Sequence, residues 1–323
     1  MPTTDDASAS RPKVFVGGPL APEAIAMLSS GPVEVIAAAE GIASPLFEQH
    51  RSELEGFVPF LTKRVDRDFL ALCPRLRIVS NVAVGVDNID LVACRERGVV
   101  VTNTPDVLTD ATADLAFALL LGAARRTGEA ERLLRARGFP PWSPTFMLGK
   151  RVTGATLGIV GMGRIGSAVA RRASGFGMRV LYTSRHERPE ACPGATWVSL
   201  EELLGASDFV SVHVALTSET RHLLDTEKLA RMKPGAVLVN TSRGAVLDEA
   251  ALVEALRTGR LFAAGLDVYE HEPTVHPGLL ELENVVLLPH IGSAEPETRM
   301  AMATLAAKNM VAFFETGRAL TPV

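Results

Sequence analysis

The chain has 323 residues, 47% hydrophobic and 22% charged, a balance that fills ordinary globular cores, excludes disorder and makes two domains the default expectation. A formal net charge of -4 gives no broad attraction to nucleic acid or to an anionic membrane, so neither is an expected partner and anionic small molecules must be caught locally. Cys73, Cys94 and Cys192 are too few and too scattered for a disulfide framework or a zinc ladder, no apolar run reaches membrane-spanning length, and Met1–Lys13 lacks the apolar segment of a signal peptide. The expected compartment is the cytoplasm, with Met1–Ser10 a frayed tail.

From Lys13 to Val101 short apolar strands alternate with helical stretches, which predicts a parallel sheet in a small α/β domain. The strands are Val14–Val16, Val33–Ile36, Gly56–Val58, Ile78–Ser80 and Val99–Val101; the helices between them are Pro22–Leu28, Pro45–Leu54, Asp66–Leu72 and Ile89–Arg97, with Gly98 as a C-cap. No glycine fingerprint occurs here, which suits a substrate-holding role better than a cofactor role. The turn Val82-Ala-Val-Gly-Val-Asp87 lies at the carboxyl end of the fourth strand, where open α/β sheets bind ligands. Gly85 lets backbone N–H groups approach an anion there, while Asp87 or Asn88 capping the next helix is an equal alternative.

After Thr104-Pro105 the cluster Thr109-Asp-Ala-Thr-Ala-Asp114 offers caps for a long helix whose run Leu115–Leu121 is apolar on most faces. Phe139-Pro-Pro-Trp-Ser-Pro144 then breaks regular structure and predicts a projecting loop. Next, Thr156–Val160 runs through Gly161, Gly163 and Gly166 into a helix, the G-x-G-x-x-G of a dinucleotide site. Gly161 permits the tight turn, Gly163 admits the pyrophosphate, and Gly166 lets helix and strand pack closely. A second strand, Arg179–Tyr182, ends at Ser184-Arg185, about 20 residues on, where ribose specificity is read.

Strands Phe209–Val212, Ala236–Asn240, Ala263–Asp267 and Val285–Leu288 complete an expected six-stranded Rossmann sheet, with helices Leu200–Leu204, Thr226–Met232 and Asp248–Arg257 in the gaps. A last helix, Pro296–Thr316, should cross back onto the first domain. The predicted class is therefore α/β with two Rossmann-like domains: a flavodoxin-like substrate domain from residues 11–104 plus 296–323, and a dinucleotide-binding Rossmann domain from 105–295.

Three charged or titratable residues follow strands of the second sheet: Arg243 in Asn240-Thr-Ser-Arg-Gly244, Glu272 in Glu270-His-Glu-Pro273, and His290 in Pro289-His-Ile-Gly-Ser293. An arginine grips a carboxylate through two N–H groups, and a carboxylate beside a histidine favours its protonated form. Singly, each could be a surface ion pair, a solvated acidic loop or a histidine satisfied by backbone; together with a cofactor turn they suit 2-oxo-acid reduction. His50, His186, His213, His222, His271 and His276 have blander contexts, and the loop of His271 and His276 supplies no recognisable metal-ligand set.

These stretches, in this order, closely resemble the D-isomer-specific 2-hydroxyacid dehydrogenases, and within them the glyoxylate/hydroxypyruvate reductases. The likeness rests on Val84-Gly-Val-Asp87, Thr104-Pro-Asp-Val-Leu-Thr-Asp110, Gly161-Met-Gly-Arg-Ile-Gly166, Asn240-Thr-Ser-Arg-Gly244, Gly265-Leu-Asp-Val268 and Pro289-His-Ile-Gly-Ser293, and covers nearly the whole chain. It implies Arg243, Glu272 and His290 as the catalytic triad, with Val84 and Gly85 presenting amides to the substrate carboxylate and Ser293 beside the substrate. It places Met162, Arg164, Ile165, Ala215, Thr241, Asp267 and Gly292 with the three fingerprint glycines at the cofactor, Asp267 on the nicotinamide side. In the implied reaction a small 2-oxo acid receives hydride from NAD(P)H and a proton from His290, giving glycolate from glyoxylate or D-glycerate from hydroxypyruvate, as the two domains close.

NADPH is the expected cofactor, with NADH possible, because Ser184-Arg185 stands where NAD sites place Asp or Glu and Arg185 offers charge to a 2′-phosphate, assisted by Arg188. The resemblance also implies a homodimer formed through the long helix and the proline-rich loop, with Trp142 reaching the partner's site and favouring small substrates. Phe139 and Phe146 stand where further tryptophans are usual, which changes the pocket. Competing expectations are a 3-phosphoglycerate dehydrogenase, against which no regulatory domain follows Val323, and a dinucleotide-sensing co-repressor or scaffold of the same fold. A formate dehydrogenase would carry glutamine at Glu272.

Overall fold

The computed structural model describes residues 11–323, and the tail expected over Met1–Ser10 lies outside them. The chain divides into two compact units, one taking in the chain up to Leu108 with Glu295–Val323, the other Thr109–Ala294.

In the first unit β1 (Lys13–Val16), α1 (Pro22–Ser30), β2 (Glu34–Ala37), α2 (Pro45–His50), β3 (Leu54–Val58), α3 (Arg67–Leu72), β4 (Ile78–Ser80), α4 (Leu91–Glu96) and β5 (Val100–Thr102) alternate as the sequence predicts. All strands pair in parallel in the order β2-β1-β3-β4-β5, the flavodoxin-like arrangement. One stretch reads differently from expectation: the helix starting at Pro45 ends at His50, because Leu54, fully buried, opens β3. Side-chain oxygens close the helix starts at Ser44, Asp66 and Asp90. The cap of α4 is thus Asp90, accepting from Ala93 N at 2.8 Å, and neither Asp87 nor Asn88.

A chain of aromatic contacts, Phe15 on Phe47, Phe47 on Phe69 and Phe69 on Phe57 with centroids 4.8–5.8 Å apart, fills one face of this sheet. The other face is covered by α1 and by α12 (Pro296–Thr316), which lies beside it after the chain has passed through the second unit. Helix α12 packs so tightly that a Cβ on Gly56 would meet Met310 Sδ at 2.7 Å, and Ser80 Oγ donates to Ala306 O at 3.0 Å.

The second unit opens with α5 (Thr109–Ala124) and α6 (Thr127–Arg135). Its sheet strands are β6 (Thr156–Val160), β7 (Arg179–Thr183), β8 (Thr196–Trp197), β9 (Phe209–Val212), β10 (Ala236–Asn240), β11 (Leu261–Leu266) and β12 (Val285–Leu287). Between them lie α7 (Arg164–Ser174), α8 (Leu200–Ala206), α9 (Thr226–Arg231), α10 (Glu249–Arg257) and α11 (Pro277–Leu280). The order β12-β11-β10-β9-β6-β7-β8 is the Rossmann order extended at one edge. The sheet has seven strands where six were expected, because Thr196 and Trp197 add a two-residue edge strand to β7. Both faces are covered, as a parallel sheet requires. On one side α5 lies so close to β11 that a Cβ on Gly265 would meet Leu119 Cβ at 2.9 Å.

Helix α6 was not predicted, and none of its residues is buried. The loop after it contains Phe139-Pro-Pro-Trp-Ser-Pro144, as expected, and leaves Trp142 86% exposed. Among the described residues no helix is long and apolar enough to cross a membrane.

Candidate active site

The turn between β6 and α7 lies at the point where the strand order reverses, between β6 and β9. Its three glycines are required for three different reasons. Gly161 has φ +103 and its missing Cβ would sit 2.8 Å from the His213 carbonyl, so the end of β9 presses against the turn. At Gly166 a Cβ would lie 2.1 Å from Gly161 O, which makes the close helix-to-strand approach dependent on glycine. At Gly163, by contrast, a Cβ would meet nothing within 4 Å; the space above the N-terminus of α7 is open to a ligand. Met162 is buried, and Arg164 and Ile165 form the first turn of α7.

A dinucleotide fits this site on a second observation. Thr241, just after β10, is 8% exposed and its Oγ1 has no hydrogen-bond partner among the described residues, a cost that a ligand group would remove. His213 flanks the turn as a neutral group: burial pushes its imidazole down to about 4, and Nε2 lies 2.8 Å from Ser211 Oγ. Ala215, exposed, follows in the same segment. At the end of β7, Ser184 lies in a loop fixed by Tyr182, whose phenol accepts from Arg188 N at 2.8 Å, and by Trp197 Nε1 donating to Ser184 O at 3.3 Å. Arg185 is exposed and has no ion pair to a described residue, whereas Arg188 lies 4.0 Å from Glu190.

Arg243 follows β10 in a loop built by a buried asparagine. Asn240 Nδ2 donates to Arg243 O at 2.9 Å, while Asn240 Oδ1 accepts from Ser242 N and Ser242 Oγ at 2.9 and 2.8 Å. Gly244 lets that loop lie against the next one, since a Cβ there would overlap the Tyr269–Glu270 peptide at 1.8 Å. In this adjoining loop Glu272 Oε1 accepts from Tyr269 N at 3.0 Å, and Oε2 meets His290 Nδ1 at 2.7 Å. Burial raises the Glu272 pKa, but the hydrogen bonds from His290 and Tyr269 and the charges of His290 and Arg243 outweigh it and hold the carboxyl below its ordinary value. The expected histidine and carboxylate are therefore partners, with side chains 25% and 29% exposed.

His290 has φ +55, a conformation uncommon outside glycine. Asp267 maintains it. This residue is 1% exposed; its backbone O accepts from His290 N at 2.8 Å, and its carboxylate accepts from Ile291 N and Gly292 N at 2.7 and 2.8 Å. Burial pushes the Asp267 pKa up, partly offset by those amides and the charge of His290. Thr112 Oγ1 secures the same loop by donating to Gly292 O at 3.1 Å, and Ser293 follows, half-buried. Sequence reading missed Asn240, Tyr269 and Gly244 as supports, and missed what Asp267 holds. The available signal was a polar residue ending an otherwise apolar strand.

The remaining histidines have structural contacts. His222 Nε2 lies 2.7 Å from Glu270 Oε1, which Arg221 also reaches at 2.7 Å, and His276 Nδ1 caps α11 by accepting from Gly278 N. Val84 and Gly85 lie in the first unit, half-buried in the loop after β4.

Residues 117–292 match the family described as D-isomer specific 2-hydroxyacid dehydrogenase, NAD binding domain. The chain belongs to that family. A glyoxylate reductase from Thermococcus litoralis is 48% identical over 312 residues, 94% of each chain. One from Korarchaeum cryptofilum is 54% identical over 81% of this chain and 80% of its own. Among solved structures, an NADPH-dependent glyoxylate/hydroxypyruvate reductase from Sinorhizobium meliloti, in complex with NADP and malonate, is 39% identical with a TM-score of 0.86, covering 97% of both chains. The fold class and family expected from the motifs thus hold over nearly the full length.

The glycine geometry separates two variants. Gly163→Ala should leave thermal stability within about 0.5 kcal/mol of the parent while weakening dinucleotide binding about tenfold by filling the space of the ligand. Gly166→Ala should cost about 1–3 kcal/mol of stability through overpacking. Calorimetric unfolding and dinucleotide titration check both, and a Gly163→Ala protein that binds like the parent would place the ligand elsewhere.

Proposed function

We propose that this protein reduces glyoxylate and hydroxypyruvate to glycolate and D-glycerate with NADPH. The observation that carries the reading is the 2.7 Å contact of His290 Nδ1 with Glu272 Oε2, joined to an arginine loop and an open dinucleotide turn in one unit. The names of relatives across the family comparison support the substrate class.

The bound nicotinamide supplies the hydride. With Nδ1 engaged by the carboxylate of Glu272, which is held below its ordinary pKa, His290 keeps Nε2 for delivering a proton to the substrate oxygen. Arg243 binds the carboxylate of the 2-oxo acid and stabilises charge developing on the carbonyl oxygen. Val84 and Gly85 of the first unit, with Ser293, complete the substrate contacts. Ser184, Arg185, Ala215, Thr241, Asp267 and Gly292 join the fingerprint residues at the cofactor. A cytoplasmic site of action fits three cysteines that are all free.

Arg243→Ala and His290→Ala should each remove most turnover, at least about a hundredfold, with dinucleotide affinity kept; near-parental kcat in either would sink the assignment. Glu272→Gln should lower kcat for reduction about tenfold or more with dinucleotide affinity kept, because His290 Nδ1 loses the ionised acceptor that orients the ring. An unchanged kcat would mean that the contact is not used.

NADPH preference rests on Arg185, exposed at the end of β7 beside a serine and no carboxylate. Arg185→Ala should lower the NADPH-to-NADH ratio of kcat/KM about tenfold or more, and equal ratios before and after would defeat the preference.

A C2 homodimer is supported by an arm that its own chain leaves bare: Leu134, Phe139, Trp142, Phe146 and Leu148 are 60%, 81%, 86%, 41% and 59% exposed. In that dimer Trp142 reaches the partner's site and limits substrate size. Sedimentation should give twice the chain mass, and Trp142→Ala should raise the phenylpyruvate-to-hydroxypyruvate ratio of kcat/KM. A monomeric active parent refutes the shared site, and an unchanged ratio in a dimeric variant refutes the size limit.

A further inference from the structure

In the first unit the loop between β4 and α4 has four consecutive carbonyl oxygens with identified donors. Ala83 O accepts from Thr104 N at 2.9 Å, Val84 O from Asn103 Nδ2 at 2.8 Å, Gly85 O from Asn81 Nδ2 at 2.9 Å, and Val86 O from Ile89 N at 2.9 Å. In a trans peptide the N–H points opposite to the preceding C=O, and the cis bond recorded among the described residues is Glu272–Pro273. Holding the oxygens therefore fixes the direction of the N–H groups of Val84, Gly85 and Val86, none of which has an acceptor among the described residues. Successive amides with no internal acceptor, around a glycine, are the elements of an anion-binding concavity.

Two of those directions depend on side chains rather than backbone. Asn103 sets Gly85 N–H and Asn81 sets Val86 N–H. Asn81 is fully buried, and its Nδ2 also lies 3.1 Å from Asn88 Oδ1, while Asn88 Nδ2 donates to Lys63 O at 2.9 Å. Asn103 is braced by Thr321, whose Oγ1 donates to Asn103 O at 2.6 Å. A primary amide suits these positions because it is a neutral donor to a carbonyl oxygen; an isosteric carboxylate there would repel that oxygen.

We propose that Asn81 and Asn103 are positioning residues for the substrate carboxylate: by holding the carbonyls of Gly85 and Val84 they aim the amides of Val86 and Gly85 at the anion, without touching substrate themselves. The proposal rests on the reading of the protein as a 2-oxo-acid reductase.

The test uses the full-length holoenzyme and measures KM and kcat for glyoxylate, Ki for oxamate and Kd for NADPH. Asn103→Ala and Asn103→Asp should raise KM and Ki about tenfold, with the larger effect in Asp, while kcat changes less than about threefold and NADPH affinity stays at the parental value. Asn103→Gln, which keeps the amide donor, should recover part of the loss. Asp66→Ala, which removes the α3 cap in the same unit, should lower the Tm with KM unmoved. Asn81→Asp provides the same readings should the Asn103 variants fold poorly. KM and Ki within twofold of the parent in folded variants at both positions overturn the proposal and leave the reductase reading standing. A parent that turns over no 2-oxo acid overturns the reading, and the proposal with it.

Discussion

The buried carboxylate of Asp267 is the interaction on which the geometry of the candidate active site depends. Placing it at 1% exposure carries a desolvation cost, and its two bonds to Ile291 and Gly292 N–H, each worth about 1.5–3 kcal/mol for a charged acceptor, offset that cost. They also hold His290 at φ +55, a backbone state costing about 1–3 kcal/mol where nothing imposes it. Without that state the imidazole would leave Glu272. The histidine is thus aimed by a residue 23 positions earlier, at the end of the neighbouring strand, and the rigidity of a parallel sheet is passed to a loop.

The same device recurs along both sheets. Asn240 ends β10 and shapes the Arg243 loop; Asn81 and Asn103 follow β4 and β5 and shape the Val84–Val86 loop. In each case a short amide or carboxylate side chain at the carboxyl end of an apolar strand captures backbone groups of the loop that follows. Such residues keep the loops in single conformations before any ligand arrives, so ordering entropy is already spent when substrate binds.

How much of this could be read from the sequence depended on the strength of local signals. The last helix, expected at about Pro296 to Thr316, runs Pro296–Thr316, where a proline opens it and Gly317, at φ +75, closes it. The glycine turn and the pairing of His290 with Glu272 could be expected because their chemistry and placement after strands are rare together. Helix α6 was missed although Ala130, Leu133 and Leu134 recur at helical spacing, because the segment is rich in charge, carries Gly128 in its first turn and buries none of its residues fully. The edge strand Thr196–Trp197 is too short for any alternation to show. Asp267 was expected on the nicotinamide side only through the family resemblance; that its oxygens meet two amides 24 and 25 positions away is a tertiary fact.

The first unit is assembled from two separated stretches, and this imposes an order on biosynthesis. A ribosome delivers Thr109–Ala294 whole before it delivers Glu295–Val323. The seven-stranded sheet therefore has every residue it needs while the five-stranded one still lacks the helix whose Met310 and Ala306 cover Gly56 and Ser80. Until α12 emerges, α1 alone covers that face, and the apolar surface over β3 and β4 stays open to non-native contacts.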